Sequence, residues 1–107
     1  EAVLNLHPFH TVHAETVARQ LPNAKQYGMA RHVRKFPGVK WEPEHTEDAE
    51  LHERYATDLS FTVPRGVDFI PSNENLHFAS VIAVHRASKS MHVDDTLTWT
   101  KLPLKVG

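Results

Sequence analysis

Three histidines stand at intervals of three in HPFHTVH, residues 7 to 13, directly after the apolar run AVLNL and before the helix-like AETVARQL. Imidazoles are neutral bases and metal ligands near physiological pH. A turn that carries them from a strand into a helix can aim two of them at one point, whereas a continuous strand sends alternate side chains to opposite faces, and Pro8 favours the turn. A hydrolytic metal site made without thiolates needs three or more imidazoles and carboxylates, with one position left for a water whose pKa the metal lowers. The donors of that kind are His7, His10 and His13, then His77 at the start of a long apolar run, then Asp94 and Asp95 after the next one. Each also has a plainer reading: helix-cap and surface histidines for the triplet, a half-buried core histidine for His77, and a turn or cap for the Asp–Asp pair.

The elements that would position these groups follow from periodicity. AVLNLH predicts a short buried strand, and Pro8 with the polar residues after it predicts a loop over 7–12. Ala14, Val17, Ala18 and Leu21 fall at i, i+3, i+4 and i+7, with Thr11 as N-cap and Pro22 as the stop, so a helix follows. AKQYGM predicts a second strand, and RHVRKF a short helix or loop before the turn pair Pro37–Gly38. TEDAELHERYATDL predicts a second main helix from an N-cap at Thr46, with Leu51, Tyr55 and Leu59 inward and a charged outer face. From residue 59 the period becomes two, and LSFTV, GVDFI, LHFASVIAVH and KSMHVDD read as strands, the last two joined tightly at Ala87–Ser88. The order is α/β, and strand-end loops are where such folds place their chemistry.

The composition removes several function classes. A chain of 107 residues holds one domain, and no apolar run reaches the ~18 residues of a membrane helix, so a soluble cytoplasmic protein is expected. Twelve basic against thirteen acidic residues provide no field to recruit nucleic acid or anionic membrane. With no cysteine there is no disulfide, thiolate zinc site or cysteine nucleophile. No phosphate loop, serine elbow or dinucleotide fingerprint is present. His32, His45 and His52 lie in charged stretches and read as surface residues, His85 and His92 as neighbours on adjacent strands, and Trp41 and Trp99 as core or rim.

Three elements in order, LNLHPFHTVHAETV, LHFASVIAVH and HVDDTLTW, resemble the metallo-β-lactamase superfamily. In that family a strand runs into an HxHxDH loop and a helix, a lone histidine precedes a later strand, and a further strand ends in aspartate. FPGVKW, VPRGVDFI and HRASKSMHVDDTL look closer still to a little-characterised branch of it. The resemblance implies an α/β fold that is part of an αββα sandwich, with residues 1–107 as a single domain incomplete at both ends. It also implies one or two zinc ions held by His10, His13 and His77, with His7 as a further ligand and Asp95 as the carboxylate that binds a second metal or orients the catalytic water. Pro8 replaces the first loop histidine of the motif and Val12 its aspartate, which weakens the second metal position.

The leading expectation is thus a zinc-dependent hydrolase-like domain acting on a small-molecule substrate, with Asp94 fixing a histidine tautomer from behind. The alternatives are a non-catalytic binding or scaffold module of the same fold with a decayed site, and a histidine-rich protein that responds to pH or metal. An uncovered sheet edge would favour homo-oligomerisation or association with a missing segment.

Overall fold

The computed structural model describes residues 1–65, 80–94 and 101, and within them the chain is a small mixed α/β fold with two sheets and three helices. Strand β1 (Ala2–Leu4) leads through the histidine loop into helix α1 (Ala14–Gln20) and then strand β2 (Lys25–Tyr27). Parallel strands need a crossover, and α1 supplies it: β1 and β2 pair in parallel with Ala2 opposite Lys25 and Leu4 opposite Tyr27. Helices α2 (Ala30–Lys35) and α3 (Ala49–Arg54) follow. Strands β3 (Leu59–Thr62), β4 (Ile82–His85) and β5 (Ser90–His92) then form an antiparallel sheet in that order.

The expected helix starts are both displaced, for one reason. Thr11 is not the N-cap of α1; its hydroxyl accepts from Lys35 Nζ at 2.8 Å and its carbonyl takes the Ala14 N–H, so His13 occupies the cap. Thr46 is not the N-cap of α3; it is buried and donates its hydroxyl to the Asn5 carbonyl at 2.7 Å, so the helix begins after Asp48. In both cases the hydroxyl is directed to a distant partner rather than to the N–H groups of the helix that follows. RHVRK is helical, as part of α2, and the first N–H of that helix finds Glu47: Ala30 donates to Glu47 Oε1 at 3.2 Å. The β4–β5 connection spans Arg86–Lys89 rather than two residues, with Lys89 left-handed at φ 57°.

The core lies between the two sheets. Leu6, Met29, Val81 and Ala83 are buried together, with Leu4, Phe61 and Val63 packed against them. The Val81 N–H donates to the Leu6 carbonyl at 2.9 Å, so the segment after β1 is hydrogen-bonded to the residue that opens into β4. A second packed centre surrounds Tyr27 and Leu51, both fully buried. The Tyr27 hydroxyl accepts from Arg54 Nη1 at 3.0 Å and its ring meets Tyr55 edge-on at 6.0 Å, while Arg54 also pairs with Glu44. Leu51 and Tyr55 lie on the inner side at the expected interval, with Tyr55 half-buried, but the helix ends at Arg54 and Leu59 opens β3 instead of continuing the helical face. No helix among the described residues is long and apolar enough to cross a membrane. The expected strand GVDFI, and the start of LHFASVIAVH, lie outside the described residues.

Gly28 joins β2 to α2 at a place where no side chain fits. A Cβ there would lie 2.9 Å from His32 Cβ and 3.0 Å from Trp41 Cζ3. The close approach lets α2 turn directly off the strand and seat His32 beneath the histidine loop. Gly28→Ala is expected to cost about 1–3 kcal/mol through overpacking, read as a lower midpoint in urea denaturation followed by circular dichroism; an unchanged midpoint would show that Trp41 yields without cost.

Candidate functional site

The histidine loop is tied to its surroundings at nearly every residue. Asn5 donates both its backbone N–H and its Nδ2 to the Tyr27 carbonyl, at 3.0 and 2.9 Å. Leu6 holds Val81 as above, and His7 and Pro8 are buried. Phe9 carries the Arg31 guanidinium over its ring at 4.4 Å, the His10 carbonyl accepts from His32 Nε2 at 3.3 Å, and Thr11 holds Lys35. Arg31, His32 and Lys35 all come from α2, so one short helix clamps residues 9 to 11 while β1 and the core hold residues 5 to 8.

Within that loop His7 and His10 stack, with ring centroids 3.9 Å apart and planes 13° from parallel. His7 Nδ1 accepts from the Phe9 N–H at 3.2 Å, which puts the proton of the neutral ring on Nε2. For His7 to coordinate an ion through Nε2, the Phe9 contact would have to give way. His10 is placed differently. Its Nδ1 meets the Asp94 carboxylate, brought from 84 residues away by the β4–β5 hairpin. A carboxylate accepts only, so Nδ1 carries the proton and the His10 lone pair sits on Nε2, the arrangement by which second-shell carboxylates prepare an imidazole as a ligand or base. His13, at the start of α1, is exposed and shares a cavity with His10.

Among the residues that the sequence singles out, His7, His10 and Asp94 meet, and His13 joins His10 on one cavity wall. His77 and Asp95 lie outside the described residues. Among the described residues no three His, Asp or Glu side chains are gathered in a form that would hold a metal ion. The donors present fit a zinc site in part: two imidazoles at one cavity, one of them with its tautomer fixed by a carboxylate.

His32 corrects the expectation of a surface histidine. It is fully buried, accepting the Met29 N–H at Nδ1 (3.2 Å) and donating from Nε2 to His10. Its signal in the sequence is weak, since RHVRKF is basic throughout, but Met29, His32 and Phe36 lie at helical spacing on one face of α2. His45 and His52 are half-buried rather than surface residues. His52 stacks on Phe61 at 4.6 Å and its Nε2 donates to the Thr46 carbonyl at 2.8 Å. His85 and His92 are on paired strands but not opposite each other: Ser90 faces His85 and Ala83 faces His92. Trp41 is half-buried and donates Nε1 to the Phe36 carbonyl, while Trp99 lies outside the described residues. Asn5, Arg31 and Lys35 carry no motif and are legible only once the loop is folded.

No family model, no curated protein and no solved structure matches this chain.

The two bonds made by His32 require a neutral ring, because a proton on Nδ1 would face the Met29 N–H. Burial pushes its pKa down from the ordinary 6.5, with the His10 carbonyl partly opposing. Unfolded, the ring takes up its proton near 6.5; folded, it resists to lower pH, so between the two values the unfolded state binds more protons. Stability should therefore be complete above about 6.5, fall as pH drops below it, and level off beneath the folded value. Urea titrations from pH 8 to 5 check this: His32→Gln should show a flatter pH dependence than the parent, and identical slopes would remove His32 from the account.

Proposed function

We propose that the chain is a metal-dependent, hydrolase-like domain of the metallo-β-lactamase type, part of an αββα sandwich, acting on a small-molecule substrate. The observation that carries this reading is the contact between His10 Nδ1 and Asp94. A side chain from the hairpin end, next in sequence to the Asp95 that the resemblance assigns as a ligand, is brought to one from the first loop, and the contact sets the tautomer that a ligand or base needs. His10 and His13 would hold a zinc ion. In the same reading His77 and Asp95 would complete the set, with Asp95 binding a second metal or orienting the water, and His7 would be a further ligand only on giving up the Phe9 N–H. Zinc bound there would acidify a water toward a pKa of about 7 and offset charge developing on a carbonyl or phosphoryl oxygen.

The chain's own groups do the positioning. Asp94 keeps the His10 proton at Nδ1. The His7 ring, itself buried, fixes the plane of His10 by stacking. His32 holds the loop backbone at the His10 carbonyl while Arg31 and Lys35 hold the Phe9 and Thr11 side chains, so the two imidazoles need little reorganisation.

A second reading, a binding or scaffold module with a decayed site, is favoured by Val12. It stands where the resemblance expects a metal-binding aspartate, and it is 85% exposed. Elemental mass spectrometry on untagged protein after zinc loading separates the two. About one zinc per chain is expected, with affinity reduced about 10–100-fold in Asp94→Ala and binding lost in His10→Ala. Val12→Asp should add or tighten a second ion. Absence of stoichiometric metal in the parent protein would leave the binding module as the better reading.

A further inference from the structure

The β4–β5 turn gathers hydroxyls and cations that the hydrolytic reading leaves unused. Residues 85–92 read HRASKSMH, with no carboxylate, and every one of them is exposed. The Ser88 hydroxyl stands at the centre. It donates to Ser90 Oγ at 2.9 Å, and two donors converge on its oxygen, the Ser90 N–H at 3.3 Å and His85 Nδ1 at 2.7 Å. Arg86, two residues earlier, is anchored at the base of the turn: its backbone N–H donates to the Asp58 carbonyl at 2.9 Å and its Nε to the Ala56 carbonyl at 2.7 Å. Lys89, left-handed at φ 57°, comes directly after Ser88.

We propose that Ser88 is a phosphorylation site for a basic-directed serine kinase using ATP. In that transfer the bond from Ser88 Oγ to the terminal phosphorus forms as the bond from that phosphorus to the ADP oxygen breaks, and the hydroxyl proton passes to the base of the kinase. Recognition comes from Arg86, a fixed guanidinium two residues ahead of the hydroxyl, which suits the carboxylates of an acidic subsite. The product is accommodated as well. A phosphoserine carries about −1.5 to −2 charge, which Arg86 and Lys89 offset, and the two donors already aimed at Oγ can turn to phosphate oxygens. Access costs little, because β5 is a three-residue exposed strand at one end of the described sheet, held by three residue pairs to β4. Other described hydroxyls fit less well. Thr11, Thr46 and Ser80 are buried. Thr57 is exposed and has Arg54 three residues before it, but that guanidinium is held by Tyr27 and Glu44, and Asp58 would repel the product.

The test uses folded, untagged protein with magnesium-ATP and the catalytic subunit of cyclic-AMP-dependent protein kinase, a basic-directed enzyme, read by intact mass and peptide mapping. About one phosphate per chain is expected, on Ser88. Ser88→Ala should take up none, Arg86→Gln should slow incorporation about tenfold or more, Arg86→Lys should slow it less, and Thr57→Ala should leave it unchanged. In the phosphorylated protein the Ser90 amide should move downfield and exchange more slowly with solvent, because a charged phosphate oxygen replaces the hydroxyl as its acceptor. Rates are compared among variants whose circular dichroism matches the parent; should Arg86→Gln fail to fold, Ser88→Ala and the Ser90 amide still decide. No incorporation into the folded chain, incorporation that persists in Ser88→Ala, a rate indifferent to a folded Arg86→Gln, or an unmoved Ser90 amide would overturn the proposal.

Discussion

The hydrogen bond from the Val81 N–H to the Leu6 carbonyl, set among Leu6, Met29, Val81 and Ala83, is the joint on which the arrangement depends. It ties the end of the β1 segment to the entry of β4, two elements that share no helix or turn. Because β5 follows β4 through a four-residue connection, fixing Val81 also fixes where Asp94 arrives. A buried backbone pair of this kind contributes only about 1 kcal/mol in net terms, but leaving either group unpaired in an apolar surrounding costs more. The register between loop and hairpin is therefore specified by polar satisfaction inside an apolar cluster, and the meeting of His10 with Asp94 is its consequence.

The sequence is most legible where a pattern is local. The β1–α1–β2 order, the strands β3 to β5 and the inner side of α3 at Leu51 all follow from periodicity within a few turns. The helix starts are less legible, because Thr11 and Thr46 have the right chemistry for caps but are bonded to Lys35 and Asn5, partners that no local pattern reveals. Burial of His32 was hidden for a related reason. Its neighbours are arginines and lysine whose charged ends turn outward or onto the loop, so a basic string concealed an inward face. Of the candidate site, the orienting role of Asp94 is readable from type and order, whereas the convergence expected of HPFHTVH is met only by the His7–His10 stack and by the cavity that His10 shares with His13. What residue types alone cannot give is the internal division of the triplet, in which His7 accepts from the backbone, His10 pairs with a carboxylate and His13 takes the exposed helix cap.

That division shows how one side-chain type is made to serve several ends. His32 lies between an N–H and a carbonyl, and its ring is held neutral as a structural strut. His52 stacks on Phe61 and closes the start of α3 through the Thr46 carbonyl. His10 alone among the described histidines has its Nδ1 set by a carboxylate from a distant element, and it does so where the side chains remain partly open to solvent. An exposed pair of this sort adds little to stability. Its geometry is instead maintained by what lies beneath: the His7 ring under His10, α2 under the loop, and the Leu6–Val81 joint under both. The dyad is thus a product of the fold rather than a support for it, which is the physical relation expected of a group positioned for chemistry and not for packing.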